Sequence, residues 1–122
     1  MLLAARLAVA VVALLHVQFL VMEMFLWQTP TGRKVFRTTV EQAEATAVLA
    51  KNQGLYNGFL AAGLGWGLWL SLGTKPHANE VITFFLLCVV IAGIYGAATA
   101  SKNILLVQAL PAVIALALLL TS

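Results

Sequence analysis

Six side chains stand out as able to do chemistry in a chain that carries few polar groups: His16, Glu23, Gln53, Asn57, Tyr95 and Gln108. His16 and Glu23 are seven residues apart, which places them on nearly one face of a helix, and Gln53 and Asn57 share a face at i, i+4 spacing. All six lie in or beside apolar runs. Hydrocarbon cannot hydrogen-bond to them, so each must find a protein, water or ligand partner or carry a desolvation cost of about 2–7 kcal/mol. A carboxylate, amides and a phenol in such a place can anchor a small polar or amphipathic molecule. Glu23 would be the charged anchor, Asn57, Gln53 and Tyr95 hydrogen-bonding walls, and His16, near the bilayer centre, a proton-sensitive floor. The same residues also have structural uses. An imidazole can bond to a neighbouring helix, a glutamate near Trp27 can snorkel to the headgroups or pair with a basic loop residue, and amides can join helices.

The elements that position these groups follow from the apolar pattern. Of the 122 residues, 62% are hydrophobic and 9% charged, against about 25% charged in a soluble domain. An integral membrane protein with a single domain over 1–122 is expected. The net charge of +3 comes from seven Lys and Arg scattered at the ends of apolar runs, a membrane-topology pattern that excludes nucleic acid as a partner. Cys88 is the sole cysteine, so no internal disulfide can form.

Four spans are expected, at about 2–27, 39–72, 80–100 and 104–120. Residues 2–27 resemble a signal sequence at their start, but His16-Val17-Gln18-Phe19 offers no small-residue cleavage site, which points to a retained helix. Thr-Pro-Thr-Gly at 29–32 reads as a turn in which Gly32 can take positive φ, followed by the basic cluster Arg33, Lys34 and Arg37. Thr38-Thr39-Val40-Glu41 has the form of a capping box, opening a second helix that projects beyond the membrane into the cytoplasm. The stretch Asn52–Gly58 begins 23 uncharged residues ending at Thr74. A loop at 73–79 leads to Glu80 at the next helix start, and Ser101-Lys102-Asn103 forces antiparallel neighbours. Pro111 is expected to kink the last helix.

Arg33, Lys34, Arg37, Lys51 and Lys102 fall on one side, and Arg6 and Lys75 on the other. This bias places loops 28–38 and 101–103 in the cytoplasm and both termini outside, with Trp27 at the inner interface and Trp66 and Trp69 near the outer one. Gln18, Glu23, Asn52, Gln53, Tyr56, Asn57, Tyr95, Thr99, Asn103 and Gln108 then share the inner half, and a cytoplasm-facing cavity with an apolar floor is expected. Gly54-x-x-x-Gly58, Gly63-x-x-x-Gly67 and the repeat Ala92, Gly96, Ala100 are small-residue spacings that favour close helix contact, within one chain or in a homo-oligomer. No cysteine or carboxylate completes a metal set with His16 or His77. No nucleophile has a base at a motif spacing, and the glycines fall within helices rather than in a phosphate loop. Catalytic residues and cofactors therefore stay unassigned.

Lys51 to Gly58, the segment Gly93-Ile94-Tyr95-Gly96 and the segment Gln108-Ala109-Leu110-Pro111-Ala112 resemble the bacterial membrane proteins catalogued as domain of unknown function 1304. That resemblance covers nearly the whole chain and implies four transmembrane helices in a bacterial inner membrane. A fainter similarity is to the MAPEG superfamily of membrane enzymes, which shares the size, helix count and protruding second helix. Lys51 and Asn57 stand where that superfamily has a basic residue and an asparagine, but Gly58, Phe59 and Leu60 follow without its acidic residue. Three functional expectations result: an intramembrane site for a small amphipathic or polar molecule, a glutathione-dependent transferase or isomerase, or a structural subunit of a membrane complex.

Overall fold

Apolar runs of this length fold as helices because, in hydrocarbon, every peptide N–H and C=O must be bonded within its own segment. The computed structural model describes residues 1–73 and 75–122; Thr74, in the expected 73–79 loop, lies outside the described residues. Among the described residues the chain is all-α: α1 (Leu3–Met24), α2 (Pro30–Phe36), α3 (Val40–Leu72), α4 (Ala78–Thr99) and α5 (Lys102–Leu120), the last containing a π-helical turn at Leu105–Ala109. Three of them, α1, α4 and α5, are long and apolar enough to cross a membrane. Only 22% of each such span is buried inside the protein, so the rest of its surface is suited to lipid. Leu7, Val11 and Leu14 of α1 and Phe84 and Ile91 of α4 are examples of the outward apolar side chains. α3 does not join the three, because Asn57, its indoles and its many glycines dilute the hydropathy of its uncharged part.

The described chain divides into two compact units, residues 1–15 with 60–122, and residues 16–59. In the first, Val9 and Val12 of α1, Leu64 of α3, Ile82, Leu86 and Val89 of α4, and Ala112, Ala115 and Leu119 of α5 form one buried core. Glycine makes this packing possible. The Phe85 ring and Ile82 occupy the space that Cβ atoms on Gly63 and Gly67 would need, so that α3 and α4 meet closely. A Cβ on Gly93 would come within 2.7 Å of the Ala109 Cβ and 2.8 Å of its backbone nitrogen, and one on Gly96 within 3.0 Å of Ile104 Cγ2. Residues late in α4 thus face residues early in α5, the antiparallel pairing expected of the short 101–103 connection. The small-residue stripe on α4 is corrected in register: Gly93 and Gly96 face α5, while Ala92 and Ala100 are exposed.

The expected proline kink takes the form of the π-turn. Pro111 has no N–H and its ring clashes with the carbonyl four residues back. The helix widens by one residue just before it, with the Leu110 N–H bonding to the Leu105 carbonyl. At the other end of this unit, Arg6 donates to the Ser71 carbonyl at 2.9 Å, satisfying one of the open carbonyls in the last turn of α3. Lys75 lies over the Trp69 ring, 3.5 Å from its centroid.

Residues 16–59 hold the end of α1, α2 and the start of α3. Here three expectations are corrected. α1 ends at Met24 rather than Trp27, because the chain turns back and the Trp27 indole N–H donates to the Ala43 carbonyl and to Thr46 Oγ1, both at 3.1 Å. The 29–32 segment is not a free turn but the start of α2. Thr29 Oγ1 accepts from the Gly32 N–H at 3.2 Å, and Pro30 fits the first helical position, where no N–H is needed. Gly32 does not take positive φ; it is buried against the Leu26 and Trp27 carbonyls, where no Cβ would fit, and Arg37 at the helix end adopts the left-handed conformation instead. The capping box lies one residue later than expected: the Thr39 N–H donates to Gln42 Oε1 at 2.9 Å and the Gln42 N–H to Thr39 Oγ1 at 3.1 Å.

A pair of glycine substitutions tests this packing. Gly93→Ala drives a Cβ into the Ala109 backbone and is expected to cost about 1–3 kcal/mol, seen as a lower unfolding temperature in detergent. Gly65→Ala has nothing within 4 Å and is expected to leave that temperature unchanged or raise it through helix propensity worth up to about 1 kcal/mol.

Candidate functional site

The polar residues meet in the 16–59 unit because two glycines remove the bulk between α1 and α3. A Cβ on Gly54 would lie 2.6 Å from Met24 Cγ and 3.1 Å from Glu23 Cβ, and one on Gly58 would lie 2.6 Å from Leu20 Cδ1. With the helices this close, Glu23 on α1 and Asn57 on α3 touch directly. Asn57 Nδ2 donates to Glu23 Oε1 at 2.5 Å, and both residues are buried, 2% and 8% exposed. Gln53, one turn earlier on α3, is exposed and adds a weaker electrostatic contact to the Glu23 carboxyl. Among the described residues, Glu23 is thus buried rather than snorkelling, and takes its hydrogen bond from Asn57 rather than from a basic loop residue.

His16 belongs to the same unit and is completely buried, with its ring edge-on to Phe19 at 5.2 Å between centroids. Seven residues of helical rise set its backbone about 10 Å from that of Glu23, too far for a direct bond along α1. Tyr95 and Gln108 belong to the other unit, where Tyr95 is 71% exposed and Gln108 half-buried. Asn52 bonds back to the Val48 carbonyl of its own helix at 2.9 Å. Thr99 does the same to the Tyr95 carbonyl at 2.7 Å.

In the 16–59 unit, an open cleft of about 310 Å³ is lined by Met24, Phe25, Trp27, Gln28, Thr29, Ala47 and Lys51, with neither Glu23 nor Asn57 in its lining. Sequence reasoning missed it. The available signal was Trp27 closing the first apolar run, together with Ala47 and Lys51 on one face of the next helix, but the cleft exists only because the chain reverses after Met24. Its wall is Trp27, held by its two indole hydrogen bonds and packed against Phe36 at 4.7 Å between centroids with the rings tilted by 45°. Among the described residues no group of three or more His, Cys, Asp or Glu could hold a metal ion.

The Glu23–Asn57 contact makes a coupled prediction. Asn57→Leu leaves a buried carboxyl short of a donor and is expected to destabilise by about 1–2 kcal/mol. The double substitution Glu23→Leu/Asn57→Leu, which removes both polar groups, is expected to recover most of that loss, as read from unfolding temperatures in a double-mutant cycle. Strict additivity would contradict the pairing.

The Uncharacterized protein YpaA of Lactococcus lactis subsp. lactis (strain IL1403) is 32% identical over 107 residues, covering 86% of this chain and 87% of the relative. No solved structure matches. The family described as Protein of unknown function (DUF1304) matches residues 10–120, which include every residue of the Glu23–Asn57 pair and its cleft, and the chain belongs to that family.

Proposed function

We propose that this protein is a four-span bacterial inner-membrane protein that binds a small amphipathic or polar molecule at the cytoplasmic end of α1 and α3, with both termini outside and the chain assembled as a homo-oligomer. α3 supplies the fourth span in this reading, its uncharged residues 52–72 being long enough to cross hydrocarbon of about 30 Å. The observation that carries the proposal is the buried Glu23–Asn57 pair, in the same unit as a cleft whose lining starts at Met24, the residue after Glu23. A carboxyl group is costly inside a membrane protein and marks a working site by default, and this one keeps a second oxygen beyond the one that Asn57 engages. His16, in the same unit, enters as a further polar group of the proposed site.

A glutathione-dependent activity finds less support. Lys51 lines the cleft, but Asn57 is committed to Glu23, and the acidic position expected of such enzymes is absent.

The test is extraction of the protein from its native membrane, followed by mass spectrometry of whatever small molecule it releases on denaturation. Wild type is expected to carry a stoichiometric molecule that Asn57→Ala and Glu23→Gln lose by about tenfold, equivalent to about 1.4 kcal/mol of binding. An identical complement in wild type and both variants removes the reading.

A further inference from the structure

The donors and acceptors around the cleft decide what it can hold. The Trp27 N–H is already used by the Ala43 carbonyl and Thr46 Oγ1. The Thr29 hydroxyl is used by the Leu26 carbonyl at 2.6 Å and by the Gly32 N–H. Two lining groups are left with no hydrogen-bond or ion-pair partner among the described residues: the Lys51 ammonium and the Gln28 amide. No acidic residue lines the cleft. The rest of the lining is apolar, from Met24, the largely exposed Phe25 and Ala47, and it begins where the membrane-length helix α1 ends. A cation and an amide above an apolar floor, at the level of an interfacial tryptophan, match a ligand with an anionic head and a hydrocarbon tail.

We infer that this cleft binds the phosphate head of an anionic membrane amphiphile, with Lys51 as the point charge on the phosphate and Gln28 as the second donor. The inference rests on the binding reading above and names its ligand class. A volume of about 310 Å³ lies at the small end of ligand pockets, which run from about 300 to 1,000 Å³, and so suits a headgroup rather than a whole lipid. The acyl chains then leave the cleft past its apolar lining at Phe25 and Met24. Lysine serves phosphate well as a compact charge with three donors. Its attraction to an anionic membrane surface is of the order of 1 kcal/mol.

The experiment places the full chain in nanodiscs of equal phosphatidylglycerol and phosphatidylcholine and reads retained lipid by native mass spectrometry. Wild type is expected to keep phosphatidylglycerol over phosphatidylcholine by about fivefold, the ratio that about 1 kcal/mol from one lysine produces. Lys51→Gln is expected to abolish the preference, Lys51→Arg to keep it, and Lys34→Gln, a basic residue outside the cleft, to keep it too. Equal retention of the two lipids by wild type, or a loss in Lys34→Gln as large as in Lys51→Gln, overturns the inference. A parallel arm titrates glycerol 3-phosphate onto detergent-solubilised protein. Thermal stabilisation by this soluble ester that depends on Lys51 and displaces phosphatidylglycerol assigns the site to a solute and overturns the membrane source. A neutral molecule kept by wild type and lost from Asn57→Ala, without any phosphate preference, overturns this inference while leaving the binding reading intact.

Discussion

The hydrogen bond from Asn57 to Glu23 is the constraint to which the 16–59 unit is built. A carboxyl group inside an apolar helix has no solvent to turn to, and its desolvation is tolerable only when donors are delivered to it at bonding distance. Delivery requires two helix backbones to approach more closely than ordinary side chains allow. Gly54 and Gly58 provide that approach, since Met24, Glu23 and Leu20 sit where their Cβ atoms would be. Asn57 and the glycines of the 52–58 stretch are therefore parts of one device: the glycines set the distance and the Asn57 amide uses it.

The same helix repeats the device in the other unit with a different outcome. Gly63 and Gly67 also give up their side-chain volume, but Phe85 and Ile82 fill it and no polar group is involved. Van der Waals contact is the main attraction available between helices whose alternative neighbour is equally apolar lipid, so removing a Cβ is an effective way to strengthen it. Gly93 and Gly96 extend the principle to α4 and α5, where the π-turn ahead of Pro111 accommodates the missing backbone donor without ending the helix.

The segment between α1 and α3 converts an ordinary connection into a surface with chemical character. Threonine capping and Pro30 start a short helix, Gly32 lets it lie against the Leu26 carbonyl, and the Trp27 indole ties the reversal to the first turns of α3. These bonds use up most of the local donors. Within the cleft lining, what is left is an ammonium and an amide beside apolar side chains.

Several features were legible in the residues alone because they depend on local rules. Apolar runs without charge must be helical and membrane-length wherever they lie, which yields α1, α4 and α5. A threonine-rich helix start and a proline inside an apolar helix announce a cap and a distortion whose neighbours are a few residues away, although the cap falls on Thr39 and Gln42 rather than on Thr38 and Glu41. Small-residue spacing marked α3 as a contact helix, and the excess of polar groups over what lipid tolerates marked Glu23, Gln53 and Asn57. Tertiary structure decided what those residues met: that Glu23 takes its partner from 34 positions along the chain rather than from the adjacent basic loop, that Gly93 rather than Ala92 faces α5, and that the chain after Met24 reverses to make a cleft. Those outcomes turn on which face of one helix reaches which face of another. That choice is set by side-chain volume at contacts distant in sequence, and no local pattern carries it.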